Sequence, residues 1–135
     1  MFINLSNHPS ANWQEKQIRA ARVYGEIVDM PFPQVDPAAD EAQLNRLAAE
    51  YLERILAKRP KAVLVAGEFT FVFALADALL KEGITVLSSC SQRKTVETVN
   101  ADQTITKTAL FDFVQFRRYG YYQAEQRSAQ SVNQE

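Results

Sequence analysis

Three short runs of polar side chains follow apolar segments of the chain, and their residue types could bind a nucleotide. The first run is Ser6 to Ser10, the second is Gly67 to Thr70 and the third is Ser88 to Lys94. Hydroxyls, amides and backbone N–H groups bind phosphates and also read sugar hydroxyls and base edges. The candidate ligand contacts are Ser6, Asn7, His8, Ser10, Gly67, Glu68, Phe69, Thr70, Ser88, Ser91, Arg93 and Lys94.

The second run predicts a helix N-terminus, where free amides and the helix dipole favour an anion. We expect the amides of residues 68 to 70 to contact phosphate. Glu68 repels phosphate, so it either adds a favourable charge to the first helical turn or reads a ribose hydroxyl or adenine amino group. Thr70 is an N-cap, a ligand contact or both. In the third run, hydroxyls followed by Arg93 and Lys94 favour a phosphate contact.

The sequence leaves open whether the protein is an enzyme. His8 and Lys94 are the candidate catalytic residues, because an imidazole could move a proton and an ammonium group could stabilise developing charge. No nucleophile with an adjacent base and orienting group can be assembled from the sequence. The single histidine has no cysteine or carboxylate neighbour, so we expect no metal site and no cofactor.

The elements that must position these runs alternate between strand-like and helix-like periods, which is typical of a parallel sheet with crossover helices. The predicted strands are 2–5, 27–30, 62–66 and 84–88. The predicted helices are 13–24, about 44–56 and 69–82. Asn12 and Glu15 have the spacing of a capping box at the start of the first helix, and Pro60 ends the second. An antiparallel hairpin, 95–99 and 104–116, follows.

The predicted fold class is α/β, a Rossmann-like three-layer sandwich with a mainly parallel sheet and a C-terminal antiparallel hairpin. In the common strand order 2-1-3-4, a crevice opens between the carboxyl ends of strands one and three, where the winding reverses. Phe111, Phe113 and Phe116 crowd the second arm of the hairpin, which indicates either plain core or a subunit contact.

Composition limits the function classes. The chain has 135 residues and a formal net charge of −1, which argues against a protein that coats long nucleic acid. One cysteine excludes an intramolecular disulfide, and no stretch predicts a membrane span or signal peptide. We expect a cytoplasmic protein with one domain over residues 1–122 and a disordered polar tail over 123–135.

Five segments in one order resemble the small stand-alone CRISPR accessory proteins of the Csx-fifteen group. They are Ser6-Asn7-His8-Pro9-Ser10, Pro31-Phe32-Pro33-Gln34-Val35-Asp36-Pro37, Gly67-Glu68-Phe69-Thr70, Ser88 to Glu97, and Phe113-Val114-Gln115-Phe116-Arg117-Arg118-Tyr119. The resemblance spans about residues 1–119. It implies a CARF-type domain that dimerises and binds cyclic oligoadenylate, most often cyclic tetra-adenylate, the second messenger of type III CRISPR complexes.

Four functions follow as hypotheses. The first is a homodimer that binds cyclic tetra-adenylate and attenuates antiviral signalling by sequestration, with a higher assembly conceivable on ligand binding. The second is a metal-independent ring nuclease that cleaves the ring by attack of a ribose 2′-OH. The third is a mononucleotide hydrolase or transferase that uses Glu68, and the fourth is a simple dimerisation module.

Overall fold

A computed structural model describes residues 1–125 and contains five strands and three α-helices in that range. The strands are β1 (Phe2–Ser6), β2 (Ile27–Pro31), β3 (Ala62–Val65), β4 (Thr85–Val99) and β5 (Ile105–Arg118). The helices are α1 (Glu15–Arg22), α2 (Glu41–Lys58) and α3 (Phe69–Lys81), and a 3-10 turn, Ser10–Asn12, precedes α1. Residues 126–135 of the predicted disordered tail lie outside the described residues. Within the described part, no helix combines the length and apolar character needed to cross a membrane.

One mixed sheet confirms the predicted fold class and strand order. Its order is β2-β1-β3-β4-β5, and the first three neighbouring pairs are parallel while β4 and β5 are antiparallel. The point where the winding reverses therefore lies between β1 and β3. The carboxyl ends of these strands, with Ser6 and Val65 as their last residues, meet at one edge of the sheet.

Two apolar clusters cover the two faces of the sheet. The larger cluster packs α2 and α3 on one face, with Phe71 wholly buried and in edge contact with Phe32 and Tyr51. The smaller cluster packs α1 on the other face around Phe2, which is also wholly buried. This second face carries the cleft described below.

The predicted start of the first helix is wrong. The helix begins at Glu15 and its N-cap is Gln14, which makes no side-chain cap; the Asn12–Glu15 capping box does not form. The Gln14 side chain instead donates from Nε2 to the carbonyl of Phe111 at 3.2 Å and accepts from the amide of Phe113 at 3.0 Å. The Gln14 side chain therefore connects the start of α1 to β5. It can do so because β5 is the last strand of the sheet, and the Phe111 carbonyl and the Phe113 amide lie on its outer edge.

The predicted end of the fourth strand at Ser88 is also wrong. The polar residues from Ser88 to Lys94 continue β4, which runs unbroken to Val99 and pairs with β5 from Leu87 onward. A second strand satisfies the backbone of residues that look loop-like by composition, so strand pairing overrides local propensity. A register shift between Cys90 and Ser91 bends the pair. Of the three phenylalanines in β5, Phe113 is core and Phe116 is half-buried, while Phe111 is exposed.

Gly67→Ala is expected to lower the free energy of unfolding by about 1–3 kcal/mol. A Cβ at this exposed position would lie 2.5 Å from Cζ of Phe32, whose buried ring packs 5.2 Å from that of Phe71. Urea unfolding followed by circular dichroism measures the loss. Gly120→Ala is the control, because nothing lies within 4 Å of its Cβ position. Equal stability of the two variants would contradict the packing role of Gly67.

Candidate ligand-binding cleft

A cleft of about 610 Å³ opens on the α1 face of the sheet, beyond the carboxyl ends of β1 and β3. This volume lies within the range of small-molecule sites, roughly 300–1,000 Å³. The β1–α1 loop and the start of α1 form one wall, and β4 and β5 form the other. The lining residues are Ser6, Asn7, His8, Pro9, Asn12, Trp13, Gln14, Gln17, Leu64, Ala66, Ser89, Ser91, Phe111 and Phe113.

The β1–α1 loop is held by a buried asparagine. Asn4 is almost fully buried, and its Nδ2 donates to the carbonyl of His8 and to Oδ1 of Asp29, both at 2.9 Å. The Ser6 hydroxyl donates to Oδ1 of Asn4 at 2.6 Å, and the Trp13 indole donates to the carbonyl of His8 at 3.1 Å. The main chain at His8 is therefore fixed, while the side chains of Asn7 and His8 stay exposed at the cleft.

The opposite wall combines hydroxyls with aromatic rings. Ser89 and Ser91 lie on one face of β4 and pair with Phe116 and Phe113 of β5. Phe111 is 72 % exposed at the mouth of the cleft. No Asp, Glu, Lys or Arg side chain of residues 1–125 lines this cleft. The arrangement suits a ligand held by hydrogen bonds and by stacking on the exposed Phe111 ring, rather than one held by ion pairs.

The first amides of α3 donate to the chain's own Glu68 carboxylate, and the phosphate contact expected there stays a prediction. Glu68 is the N-cap, and its carboxylate accepts from the amides of Thr70 at 3.0 Å and Phe71 at 2.8 Å. The Thr70 hydroxyl also donates to both carboxylate oxygens, so Thr70 supports the cap and is not itself the N-cap. A phosphate at this point would meet a carboxylate.

Four predicted contacts, Ser6, Asn7, His8 and Ser91, come together in the cleft. Ser10 lies beside it, where its amide and hydroxyl donate to Asp29. The other predicted contacts lie outside the lining: Gly67, Glu68, Phe69, Thr70, Ser88, Arg93 and Lys94. Their roles in binding remain predictions.

Lys94, a candidate catalytic residue and phosphate contact, is engaged elsewhere. Its Nζ lies 3.0 Å from Oδ2 of Asp112, and Lys16 of α1 lies 2.6 Å from Oδ1 of the same carboxylate. These two ammonium groups and the Gln92 amide hold the pKa of Asp112 well below its ordinary value. Asp112 of β5 therefore forms ion pairs with both α1 and β4. The Lys94 ammonium group stabilises the fold through this contact.

A family model described as the uncharacterized protein MJ1673 family matches residues 1–117. The chain belongs to this family. The region that defines the MJ1673 family runs from the first strand to the penultimate residue of β5, so it contains the whole lining of the cleft. A comparison with curated proteins found no match.

Several residues that build the cleft of this chain were not predicted from the sequence. A polar residue inside the apolar strand Phe2-Ile3-Asn4-Leu5 was an available signal for Asn4, since a buried amide needs partners. Ser89 lay within the polar run from Ser88 to Lys94, whereas the lining residues Trp13, Gln14, Gln17 and Asn12 carried no comparable signal. Within residues 1–125, no group of three or more His, Cys, Asp or Glu side chains is placed to hold a metal ion.

The helix cap predicts a pH-dependent stability difference between wild type and Glu68→Gln. Hydrogen bonds from the Phe71 amide, the Thr70 hydroxyl and the Thr70 amide lower the pKa of Glu68 from its ordinary value of 4.5. Because the folded-state pKa is depressed, the stabilising effect is present above the unfolded value and is lost as pH falls through the folded value. Wild type should therefore melt at a higher temperature than E68Q at pH 6, and the difference should shrink towards pH 3.

Thermal melts of both proteins across this pH range measure the effect. Glu53→Gln removes another exposed carboxylate, from α2, and serves as the control. A wild-type advantage over E68Q that stays constant from pH 6 to pH 3 would show that the carboxylate charge does not cap the helix.

Proposed function

We propose that this protein binds cyclic tetra-adenylate in the cleft, as a homodimer, and lowers the free concentration of this messenger by sequestration. The consequence would be attenuation of type III CRISPR antiviral signalling. The observation that carries the proposal is the cleft at the switch point of the sheet, lined by amides, hydroxyls and the exposed ring of Phe111. The resemblance to the Csx-fifteen group supplies the identity of the ligand.

The chemistry of the lining supports an adenine nucleotide. Asn7 and Asn12 offer donors and acceptors for base edges, Ser89 and Ser91 offer hydroxyls for sugar or phosphate oxygens, and Phe111 offers a ring for stacking. A ring of four adenylates has approximate two-fold symmetry. An isologous dimer presents the same cleft twice, so each protomer would bind half of one ring.

Sequestration is proposed ahead of cleavage because the catalytic candidates do not form a set. Lys94 is paired with Asp112, which leaves His8 as the candidate acid or base at the cleft. His8 is the specific observation that favours the second candidate function, a metal-independent ring nuclease, since its imidazole could move a proton of an attacking 2′-OH. His8→Ala would stop cleavage in a ring nuclease, whereas a sequestering protein has no turnover to lose.

The Glu68-dependent mononucleotide enzyme has less support. The Glu68 carboxylate accepts hydrogen bonds from two amides and a hydroxyl, so its oxygens are engaged in capping α3. Its lowered pKa also makes it a weaker base. A hydrolase of this kind would lose all activity on a mononucleotide in Glu68→Ala.

Ser91→Trp tests the location of the site. A bulky side chain on the cleft face of β4 should fill the space and weaken cyclic tetra-adenylate binding by tenfold or more, which isothermal titration calorimetry measures. Thr98→Trp is the matched control, because it puts the same side chain at another exposed position of β4, outside the lining. Equal affinity of the two variants would show that the ligand binds outside this cleft.

A further inference from the structure

The hairpin formed by β4 and β5 extends far beyond the rest of the sheet. β3 pairs with β4 only from Thr85 to Leu87, whereas β4 continues to Val99. Residues 91–112, here called the arm, form a two-stranded ribbon about 30 Å long at ~3.3 Å per residue. Its strand residues 91–99 and 105–111 are all exposed. An isolated two-stranded hairpin is marginally stable in water, so the arm needs a partner surface.

The arm also has an open edge that borders the cleft. Among residues 1–125, no strand pairs with the side of β4 opposite β5 beyond Leu87. Ser91, which lines the cleft, lies on this part of β4. Exposed apolar side chains continue along the arm, with Val99 72 %, Ile105 58 % and Leu110 50 % exposed. A long edge of this kind is a template for pairing with another strand.

The backbone pattern defines which residues of β4 are free to pair. The Asn100 amide bonds the Thr104 carbonyl at 2.8 Å, so these two residues form a hydrogen-bonded pair. Because such pairs alternate along an antiparallel ladder, the even-numbered residues of the arm's β4 segment bond to β5. The N–H and C=O groups of Arg93, Thr95 and Glu97 therefore point to the open edge.

We infer that the occupant of this edge is β4 of a second copy of the chain, paired antiparallel about a two-fold axis at Thr95. An axis at Arg93, Lys94 or Glu97 would place a charged side chain opposite its own copy, and an axis at Val96 pairs no opposite charges. With the axis at Thr95, Arg93 lies opposite Glu97 of the second copy, twice by symmetry. Opposite charges across an antiparallel pair stabilise it, and like charges destabilise it.

This pairing would bring the second copy to the cleft. In the same register Ser91 lies opposite Val99 of the second copy, so the partner's arm forms the boundary of the cleft along β4. Arg93 has the charge free for this contact, since no ion pair within residues 1–125 involves it. The inference rests on the proposed function for the existence of a dimer. The experiments below use no ligand, so the strand pairing and the binding of cyclic tetra-adenylate can each be disproved without the other.

A charge exchange tests the register. Sedimentation equilibrium should give a dimer for wild type, and Arg93→Glu or Glu97→Arg should each raise the dimer dissociation constant roughly tenfold or more. The double variant R93E/E97R should restore dimerisation. Glu97 also lies 3.7 Å from Lys107 of its own chain, but loss of that contact would not be repaired by the second substitution. A monomeric wild type, or a double variant weaker than both single variants, would overturn the inference.

Cross-linking tests the axis directly. In a Cys90→Ser background, Thr95→Cys should form a disulfide-linked dimer under mild oxidation, because a hydrogen-bonded pair has a Cα separation of about 5.5 Å. Thr98→Cys is the matched control, since the two copies of residue 98 would be about 20 Å apart at ~3.3 Å per residue. Cross-linking of the Thr98 variant, or failure of the Thr95 variant to cross-link, would exclude this register whether or not the protein binds cyclic tetra-adenylate.

Discussion

Asn4→Leu is expected to abolish binding in the cleft and to lower the free energy of unfolding by about 1–3 kcal/mol. Asn4 is 1 % exposed, and its amide bonds the His8 carbonyl, Asp29 and the Ser6 hydroxyl. Leucine keeps a similar volume and removes every one of these bonds. The β1–α1 loop would then lose the contacts that fix Asn7 and His8 at the cleft.

Urea unfolding and calorimetric titration with cyclic tetra-adenylate measure the two effects of Asn4→Leu. Asn45→Leu is the control, because it makes the same substitution at an exposed position of α2 outside the cleft lining and should leave both quantities near wild type. Wild-type affinity in a folded N4L variant would contradict the view that this network holds the binding loop.

Phe2→Ala is expected to cost about 3–5 kcal/mol of the free energy of unfolding and to disorganise the cleft. Phe2 is wholly buried, and its ring packs 6.1 Å from Trp13, 6.0 Å from Tyr24 and 5.3 Å from Phe116. These contacts support α1 and β5 beneath the cleft. Losing the ring therefore removes packing and loosens the segment of Trp13 and Gln14 that leads into α1.

Phe71→Ala is the matched control for Phe2→Ala. Phe71 is equally buried but lies in the other apolar cluster, against Phe32 and Tyr51. We expect a similar loss of stability in both variants and a loss of ligand affinity only in the Phe2 variant. Phe2→Leu and Phe71→Leu give the same comparison at a smaller cost if the alanine variants do not fold. Equal affinities in the Phe2 and Phe71 variants would show that α1 does not depend on Phe2 for its position.

The parallel part of the fold could be predicted because its signals are local. Apolar runs such as 62–65 and the stripe of α2 mark their elements directly, and the strand order follows from common connection rules. Asp40 and Gln43 even form a full capping box at the start of α2. The length of β4 could not be predicted, because the polar residues from Ser88 to Lys94 have a composition typical of loops and become strand only through pairing with β5.

Only one of the two walls of the cleft could be predicted from the sequence, because the other wall forms through long-range contacts. Ser6, Asn7 and His8 could be predicted because they follow β1, and strand ends at a switch point form a crevice. The other wall requires Gln14 to meet the backbone of Phe111 and Phe113, which lie almost a hundred positions away. For Gly67-Glu68-Phe69-Thr70, the structure shows the first of the two roles considered for Glu68, a favourable charge at the start of a helix, because its carboxylate caps α3.

The central proposal, that the chain binds cyclic tetra-adenylate, is tested most directly by mixing the ligand with excess purified protein in the absence of metal. Chromatography after an hour measures both the bound fraction and the integrity of the ring. Sequestration predicts that the ring is bound and intact, and that Ser91→Trp lowers the bound fraction. Linear products would instead identify a ring nuclease. A free, intact ring with wild-type protein would contradict the proposal and leave the cleft to a different ligand.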